Sequence, residues 1–550
     1  MLISVADYLV KKLNELNIDD FFGLPGDFNF NICTAIEGNK NTRWIGCSNE
    51  LNAGYAADGY ARIRGYGAVV TTFGVGELSA ANAIAGCYSE NVPVFHIVGS
   101  PATSVQNAKR LSHHTFGDGD FSHFEKAHAH LVGAHTRLTA ENAVSEIDRL
   151  IEIAVKTKKP VYINLSADVC LQPVVFPANH SDEPTPRVAS TQSVEAVHHA
   201  LKLIESAKKP IVIGDAKAIR FGLAEEFLAL VESLNVPVTT LNMGKSLIDE
   251  THPNFIGTYV GSLINPETKK IVEESDLIIS VGALMCDQNT AGYTFELDPT
   301  ITIDIQPEHS TFGGVSYYIE AKDFISQLSS SVQKRQGNIQ QVPSSIGMPA
   351  DSDENICGDN MYQHLQQFIE PNDIVVCETG SIAFGLMECK LPKGVDLLGQ
   401  NLWMSIGWAT PAAFGASIAA KNRRVILLTG DGSHQLTTQE IGQMSRFGCN
   451  TIVFLLNNAG YTIERYLADD MDDPFNDIAT WNYTYLPKAF GANNAMVRQV
   501  KTTLELSEAL KMARKNTNEL SYIEAITFPH DAPRNLRVVR EGRDAIYNAD

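Results

Sequence analysis

Short runs of apolar, often β-branched residues alternate with segments of helical period along almost the whole chain. The runs are apolar throughout, which is typical of parallel strands that are covered on both faces. They occur at 67–73, 93–98, 210–214, 276–282, 373–377, 424–430 and 451–457. This pattern predicts an α/β fold built from doubly wound domains with mainly parallel sheets.

The length of 550 residues exceeds what one hydrophobic core normally supports. Two stretches, 171–190 and 329–355, lack apolar periodicity and are rich in residues that favour loops. They predict three domains, at 1–180, 181–345 and 346–550.

The charge balance is acidic, with 43 Lys and Arg against 64 Asp and Glu, a formal net charge of −21. Such a surface repels phosphate backbones and anionic membranes, so we expect neither a nucleic-acid nor a membrane partner. No apolar run approaches the roughly 18 residues that a membrane span needs.

The nine cysteines are widely spaced and include no C-x-x-C pair. This argues against a disulfide framework and a zinc site. No apolar segment follows the early basic pair Lys11-Lys12, so no secretion signal is expected. Together these features predict a cytoplasmic enzyme.

The most informative motif is Gly430-Asp431-Gly432-Ser433, which follows a predicted strand. The next predicted strand ends at Asn457, followed by Asn458, Ala459 and Gly460. The carboxyl ends of parallel strands share one edge of a sheet, where ligands bind. Mg²⁺ prefers oxygen ligands, which Asp431, Asn458 and the Gly460 backbone can supply. A helix expected from about 437 to 447, with Ser433 before it, would favour a phosphate group.

Further motifs extend the pattern through the chain. They are Gly23-Leu-Pro-Gly-Asp27, Cys47-Ser-Asn-Glu50, Gly74-Val-Gly-Glu77, Ser112-His113-His114-Thr115 and Gly460-Tyr-Thr-Ile-Glu464. Over nearly its whole length the chain resembles the thiamine-diphosphate-dependent 2-oxo acid decarboxylases (pyruvate, indolepyruvate, phenylpyruvate and branched-chain types). The paired histidines together with Glu464 separate this group from acetohydroxyacid synthases and pyruvate oxidases.

The resemblance implies non-oxidative decarboxylation of a 2-oxo acid to an aldehyde and CO₂, with thiamine diphosphate and Mg²⁺ as cofactors. Glu50 would hydrogen-bond the aminopyrimidine ring, and Ile406 would wedge the cofactor into a bent shape. Glu464 would assist decarboxylation and protonation, while Asp27 and His114 would serve product release. The catalytic residues expected are Glu50, Asp27, His113, His114 and Glu464, and the metal ligands Asp431, Asn458 and Gly460. The cofactor-binding residues expected are Glu50, Thr72, Ser381, Met404, Ser405, Ile406, Asp431, Gly432, Ser433, Asn458, Gly460, Tyr461, Thr462 and Ile463.

The family's active site forms between subunits, so the resemblance also implies a homodimer or homotetramer. Substrate choice is expected to depend on pocket residues that include Gln288, Ala383, Phe384, Met404, Ile463 and part of the helix after Pro533. The small side chain of Ala383 favours branched-chain or aromatic 2-oxo acids, with pyruvate as the alternative.

The chain departs from the family pattern at three places. Met404 stands where glycine is usual, a change that the backbone carbonyl tolerates if φ is negative. Ser381 replaces a threonine and keeps the hydroxyl group. The acidic segment 466–481 is interpreted as a mobile lid or as a solvated loop.

Other readings of the sequence remain open. Gly74-x-Gly76-x-x-Ser79 imitates part of a dinucleotide fingerprint, which suggests an NAD-dependent oxidoreductase, but its third glycine is missing. Met243-Gly-Lys-Ser resembles half of a phosphate-binding loop. A carboligase like acetohydroxyacid synthase, a flavin-dependent oxidase and a non-catalytic binding protein are the remaining alternatives.

Overall fold

A computed structural model describes residues 2–176 and 191–547. It contains three large sheets, each formed within one continuous part of the chain and flanked by helices. Almost all strand pairs are parallel, which confirms the expected α/β class with doubly wound, mainly parallel sheets. Within the described ranges, no helix is both long and apolar enough to cross a membrane.

The first sheet has six parallel strands in the order β3-β2-β4-β5-β7-β6. The elements of this part are β1 Leu2–Ser4, α1 Val5–Glu15, β2 Asp20–Gly23, α2 Phe30–Gly38, β3 Arg43–Gly46, α3 Glu50–Arg64, β4 Gly67–Thr72, α4 Val75–Ser89, β5 Val94–Ser100, α5 Thr103–Asn107, α6 His123–His128, β6 Ala134–Arg137, α7 Ala143–Thr157, β7 Val161–Ser166 and β8 Pro173–Val175. Strands β4, β5 and β7 are buried along their whole length, which explains their unbroken apolar sequences.

The middle sheet has seven strands in the order β11-β10-β9-β12-β13-β14-β15, and the last two pairings are antiparallel. The elements are α8 Thr191–Ser206, β9 Pro210–Gly214, α9 Ala216–Arg220, α10 Ala224–Leu234, β10 Val238–Thr240, β11 Phe255–Thr258, α11 Pro266–Glu273, β12 Leu277–Val281, α12 Asp287–Thr290, β13 Thr302–Gln306, β14 His309–Phe312, β15 Val315–Tyr317 and α13 Ala321–Ser331.

The third sheet has six parallel strands in the order β17-β16-β18-β19-β21-β20. The elements are α14 Met361–Phe368, β16 Ile374–Cys377, α15 Ser381–Glu388, β17 Asp396–Gly399, α16 Ala409–Ala419, β18 Val425–Gly430, α17 Asp431–Thr437, α18 Glu440–Arg446, β19 Ile452–Asn457, α19 Thr462–Leu467, α20 Leu486–Ala489, β20 Met496–Val500, α21 Thr503–Lys515, β21 Ser521–Ile526 and α22 Arg534–Tyr547.

The first and third sheets share one topology. In each sheet, the first strand takes the second position and the next strand lies beside it at the edge. The third strand lies on the other side of the first, so both sheets have a switch point. Ligands bind at such points, beyond the carboxyl ends of the strands. The residues expected to act in the site follow these strand ends, Asp27 and Glu50 in the first part and Asp431 and Asn458 in the third.

Helices α3 and α16 join the first part of the chain to the third. A Cβ added at Gly59 would overlap the Ala412 backbone, and one added at Gly415 would overlap Ala56, so the two glycines allow the helices to touch. At the end of α3, the buried Arg62 pairs with Asp58 and donates to the Gly399 carbonyl at 2.7 Å. This contact places the two switch-point sheets in a fixed relation within the chain.

Two expectations about local structure were wrong. The helix expected at 437–447 is instead the pair α17 and α18, and α17 already begins at Asp431. Of the first expected linker, residues 177–190 lie outside the described residues, and 173–175 form strand β8 rather than a loop. This strand pairs with β1 in antiparallel register. The second expected linker is irregular from residue 332 onward, and the two boundaries between the three domains remain predictions.

Candidate active site

The carboxyl edge of the third sheet brings together the side chains expected to bind metal and cofactor. Asp431 follows β18 directly and is the first residue of α17. Asn458 follows β19, and Ser381 starts α15 after β16. The Asn458 amide lies 3.5 Å from the Ser381 hydroxyl. Three neighbouring strands therefore converge on one polar spot.

Three oxygen atoms meet at this spot. The Asn458 side-chain oxygen lies 2.9 Å from the Gly460 carbonyl oxygen and 3.2 Å from Asp431 Oδ1. Oxygens this close repel one another unless a cation lies among them, or unless the amide turns by 180° and donates to both. Ala459 and Gly460, which follow Asn458, both have positive φ values, 57° and 145°. An acid, an amide and a backbone carbonyl form a donor set that fits Mg²⁺.

Asp431 is almost completely buried, with 1% of its surface exposed. It accepts hydrogen bonds from the backbone N–H groups of Gly432 at 2.8 Å and Gly460 at 3.2 Å. Burial nevertheless raises the pKa of Asp431 to about 7 because desolvation disfavours the charged carboxylate. A bound cation would offset that desolvation.

A cavity of about 770 Å³ opens beside these oxygens, within the range of small-molecule sites. One end is polar and is formed by the start of α17, directly after β18, and by the loop that follows β19. The other end is mainly apolar and combines side chains from turns and loops of the middle part of the chain with others from α15, α19 and α22. Residues of the polar end include Gly430, Asp431, Gly432, Ser433, Asn458, Gly460, Tyr461 and Thr462; residues of the other end include Leu263, Tyr293, Phe384, Met387, Ile463, Leu467, Val538 and Val539.

Most of the expected pocket residues line this cavity, including Gln288, Phe384, Met404 and Ile463, and so do Ile406 and Glu464. Ala383 was also expected there, but it packs against the core cluster of the third sheet instead. Leu263 and Tyr293 of the middle part line the cavity without any motif in the sequence that could have identified them. The helix after Pro533 contributes Val538 and Val539, in agreement with the expectation.

Met404 has a φ of +55°, in the left-handed region. This is the backbone conformation that favours the usual glycine, and it does not meet the condition of a negative φ under which the carbonyl was expected to tolerate the change. Its side chain and that of Ile406 both line the cavity. The buried Glu378 carboxylate accepts the N–H groups of Gly407 and Ala409, each at 3.1 Å, and so holds the end of this loop. Sequence inspection missed Glu378 because nothing in the surrounding sequence marks it.

Asp27, His113 and His114 form a second group at the carboxyl edge of the first sheet. One side-chain ligand atom from each lies within 4.8 Å of the other two. His113 Nε2 is 2.9 Å from Asp27 Oδ2, and the His113 ring stacks on Phe28 with centroids 4.7 Å apart. Both members of the His113–Asp27 pair are about half exposed, with 56% and 48% of their side-chain surface accessible.

Glu50 lies in the same part of the molecule, as the first residue of α3 after the N-cap Asn49. A Cβ added at Gly76 would lie 3.2 Å from Glu50 Oε1 and 3.1 Å from the Thr72 methyl group. The glycine-rich turn after β4 thus makes room for Glu50. The buried Thr72 hydroxyl has no hydrogen-bond partner among the described residues.

The two groups do not meet within the described part of one chain. None of Asp27, Glu50, Thr72, His113 and His114 lines the cavity. Ser405, expected to bind the cofactor, is also absent from the cavity lining. Its hydroxyl lies 2.7 Å from the Tyr55 hydroxyl and accepts the Asn82 amide at 2.9 Å, both in the first part of the chain.

The acidic segment 466–481 is anchored at several points. Arg465, which is 4% exposed, pairs with Asp477 at 2.6 Å, and His530 pairs with Asp472 at 2.9 Å. The segment includes a short 3₁₀ turn at Pro474–Asn476. Its opening as a lid stays a prediction.

The Met243-Gly-Lys-Ser motif, which resembles half of a phosphate-binding loop, has a structural role that does not involve a phosphate. Lys245 is buried, and its ammonium group binds both carboxylate oxygens of Glu250, at 2.8 and 2.9 Å. The lysine is therefore occupied by an ion pair within the middle part.

Comparison with known families gives three matches along the chain. Residues 3–124 match the thiamine pyrophosphate enzyme N-terminal TPP binding domain, 197–328 the central domain, and 378–525 the C-terminal TPP binding domain. The dinucleotide alternative loses its basis, since Gly74–Ser79 lies within the first of these matches.

Curated relatives match over almost the full length. An alpha-keto-acid decarboxylase of Mycobacterium leprae is 38% identical over 542 residues, which cover 97% of this chain and 94% of the relative. Pyruvate decarboxylase isozyme 2 of Saccharomyces cerevisiae is 38% identical over 552 residues, with 97% of each chain covered. An alpha-keto-acid decarboxylase of Mycobacterium tuberculosis is 37% identical over 544 residues, covering 97% and 96%. The chain belongs to the thiamine pyrophosphate enzyme family.

Proposed function

We propose that this protein decarboxylates 2-oxo acids without oxidation and releases the aldehyde and CO₂. The observation that carries the proposal is the two-ended cavity, in which a polar, oxygen-rich end faces a mainly apolar end. The full-length relatives named as alpha-keto-acid and pyruvate decarboxylases support the same reaction class.

The polar end would hold thiamine diphosphate through Mg²⁺. Asp431, Asn458 and the Gly460 carbonyl would bind the metal, since Asp431 Oδ1 and the Gly460 carbonyl oxygen both lie within 3.2 Å of the Asn458 amide, which can turn its oxygen toward them. Ser381, Gly432 and Ser433 line the same end and would contact the phosphate oxygens. When bound, the cofactor supplies the carbon centre that takes up the electron pair released as CO₂ leaves.

The chain's own residues would orient the substrate and move protons. Glu464 lines the cavity and would assist loss of CO₂ and protonation of the carbon that becomes the aldehyde. Glu50 would bind the aminopyrimidine ring, and Asp27, His113 and His114 would serve proton transfer during product release. The apolar walls favour decarboxylation because charge is dispersed as CO₂ departs.

The apolar part of the cavity lining favours bulky apolar substrates. Met387, Ile463, Leu467 and the valine pair of α22 would surround the substrate side chain. We therefore propose branched-chain or aromatic 2-oxo acids as the preferred substrates. Pyruvate is the second candidate, which the yeast pyruvate decarboxylase relative favours.

The complete site would form between two copies of the chain. The histidine group and Glu50 do not line the chain's own cavity, so a second copy would have to supply them. Helix α4, which begins next to the Glu50 site, exposes Val75 (55%) and Leu78 (43%), apolar side chains that a partner could cover. A homodimer, alone or paired into a tetramer, would satisfy both observations.

We also infer a reducing compartment such as the cytoplasm. All nine cysteines are free thiols, and six of them are buried. Free, mostly buried thiols are typical of proteins that are not exposed to oxidising conditions.

The reaction is tested by measuring aldehyde formation with thiamine diphosphate and Mg²⁺ over pyruvate, 2-oxoisovalerate, 2-oxoisocaproate, phenylpyruvate and indolepyruvate. We expect aldehyde from at least one substrate, highest kcat/KM for a branched or aromatic one, and loss of activity after chelation. Absence of aldehyde with formation of an acetolactate-type product would replace the proposal by a carboligase.

The divided site is tested by mixing two inactive variants, Glu50→Gln and Asp431→Asn, under conditions that exchange subunits. If the site forms between chains, mixed dimers hold one intact site, and about a quarter of the wild-type activity should return. If each chain forms its own site, both sites of a mixed dimer are damaged and no activity returns.

A further inference from the structure

Arg540, on the C-terminal helix α22, binds the end of a different helix. Its Nη1 donates to the carbonyl oxygens of Ala468 at 2.8 Å, Tyr466 at 3.1 Å and Arg465 at 3.4 Å. Its Nη2 donates to the Asp469 carbonyl oxygen at 3.3 Å. One guanidinium group thus reaches four carbonyls at and just beyond the C-terminal end of α19.

These carbonyls are well suited to a cation. The last carbonyls of a helix have no partner within the helix, and the helix dipole makes its C-terminal end electronegative. The planar guanidinium presents several donors at once, which an ammonium group cannot reproduce with the same geometry.

The other side of α19 is tied to the segment that precedes α22. The Thr462 hydroxyl donates to the Pro529 carbonyl at 2.9 Å, and the Tyr466 hydroxyl donates to the His530 carbonyl at 2.9 Å. Residues 529–540 therefore hold α19 at both ends, and Arg540 closes the C-terminal one.

Helix α19 carries four residues that line the cavity, Thr462, Ile463, Glu464 and Leu467. The Glu464 carboxylate accepts no hydrogen bond from a side chain or backbone group in the described ranges, so its place follows the backbone of α19. A shift of this short helix would move the carboxylate together with the apolar wall.

We propose that Arg540 is a positioning residue that holds α19 and thereby fixes Glu464 against the substrate. The proposal rests on the proposed decarboxylation for its kinetic consequence, but the contact itself can be tested independently of activity. Arg540 touches neither the cavity nor the metal ligands among the described contacts, so its effect would pass through α19.

The kinetic test is a double-mutant cycle with Arg540→Met and Glu464→Gln. Arg540→Met should lower kcat about tenfold, since small misplacements of a catalytic group are costly. The double variant should be no slower than Glu464→Gln alone, because the arginine acts through that carboxylate. Losses that multiply in the double variant would overturn the proposal. Arg540→Lys should fall between the wild type and Arg540→Met.

The structural test is amide hydrogen exchange in residues 462–469 of the complete protein. Arg540→Met should exchange faster there than the wild type, while Arg534→Met on the same helix should not, since Arg534 is half exposed and meets Glu388 at 3.5 Å. Equal exchange in the wild type and Arg540→Met would overturn the proposal. If the wild type forms no aldehyde, the proposed function fails, and this measurement still decides whether Arg540 holds α19.

Discussion

At the scale of single residues, the site concentrates backbone conformations that side chains rarely adopt. His114, Met404 and Ala459 have φ values of 60°, 55° and 57°. Each such residue costs roughly 1–2 kcal/mol and persists because its surroundings hold it. The sequence identified all three segments, but the sign of φ depends on contacts far along the chain, and the sequence could not decide it for Met404.

Replacing Met404 by glycine is expected to keep or raise stability and to change selectivity. Glycine removes the left-handed cost of roughly 1 kcal/mol and opens the cavity where the methionine side chain lies. We expect kcat/KM for phenylpyruvate to rise several-fold relative to pyruvate. Urea denaturation and the two kcat/KM values are the measurements.

Ala459→Gly is the matched control for Met404→Gly. Ala459 also has a positive φ but does not line the cavity. Its variant should therefore share the effect on stability without the change in selectivity. An unchanged selectivity ratio in Met404→Gly would contradict the role of its side chain in the pocket.

Gly460→Ala is expected to weaken Mg²⁺ and cofactor binding strongly. A Cβ there would lie 2.5 Å from the Asn476 carbonyl oxygen and 2.8 Å from Arg465 Nη2, and the φ of 145° disfavours a side chain. The loop must then shift, and the carbonyl expected to bind the metal shifts with it. We expect at least a tenfold rise in the apparent Kd for the cofactor, measured by fluorescence titration. Gly38→Ala, at an open position on α2, should bind normally.

At the scale of elements, the strands were the predictable part. The seven apolar runs correspond to β4, β5, β9, β12, β16, β18 and β19, because strands buried on both faces need apolar residues throughout. Helix α17 was not found because Gly-Asp-Gly-Ser has a turn-like composition. Its helical conformation is stabilised by burial of His434 and Thr437, a tertiary effect that local propensity does not register.

Helix α4 begins with a buried acid whose charge state affects folding. Glu77 accepts the Gly74 N–H at 2.7 Å and the Tyr162 hydroxyl at 2.8 Å, and burial raises its pKa to about 7 from 4.5. The folded protein holds this proton more tightly than the unfolded chain. The stability it contributes is therefore complete below pH 4.5 and is lost as pH rises through about 7.

Glu77→Gln should consequently behave differently at acid and alkaline pH. The amide cannot ionise, so the variant should gain stability relative to the wild type between about pH 5 and about pH 8, by up to roughly 3 kcal/mol. Unfolding midpoints in urea at the two pH values measure this difference. The exposed Glu152→Gln should show no such change, and an equal offset of Glu77→Gln at both pH values would contradict the assignment.

At the scale of the whole molecule, each chain carries two separate groups of predicted site residues. The motifs predicted which residues belong to the chemistry, and the structure places them at the carboxyl edges of two sheets with the same strand order. Hydrophobic periodicity and motif spacing could not predict that the two groups of site residues stay apart within one chain. Their separation depends on how α3 and α16 orient the first and third parts of the chain. The resemblance supplied this expectation.

The proposed assembly predicts that a charge on the face of α4 abolishes activity without unfolding the protein. Leu78 is 43% exposed beside Val75, and placing an arginine there would bury an unpaired charge in the proposed interface. We expect Leu78→Arg to be monomeric by light scattering, to lose at least tenfold in activity, and to keep the wild-type circular dichroism spectrum. Met348→Arg, at an apolar side chain that is 79% exposed, should remain assembled and active. A Leu78→Arg protein that is still oligomeric and fully active would place the subunit contact elsewhere, whereas a monomer with full activity would show that one chain can assemble the whole site.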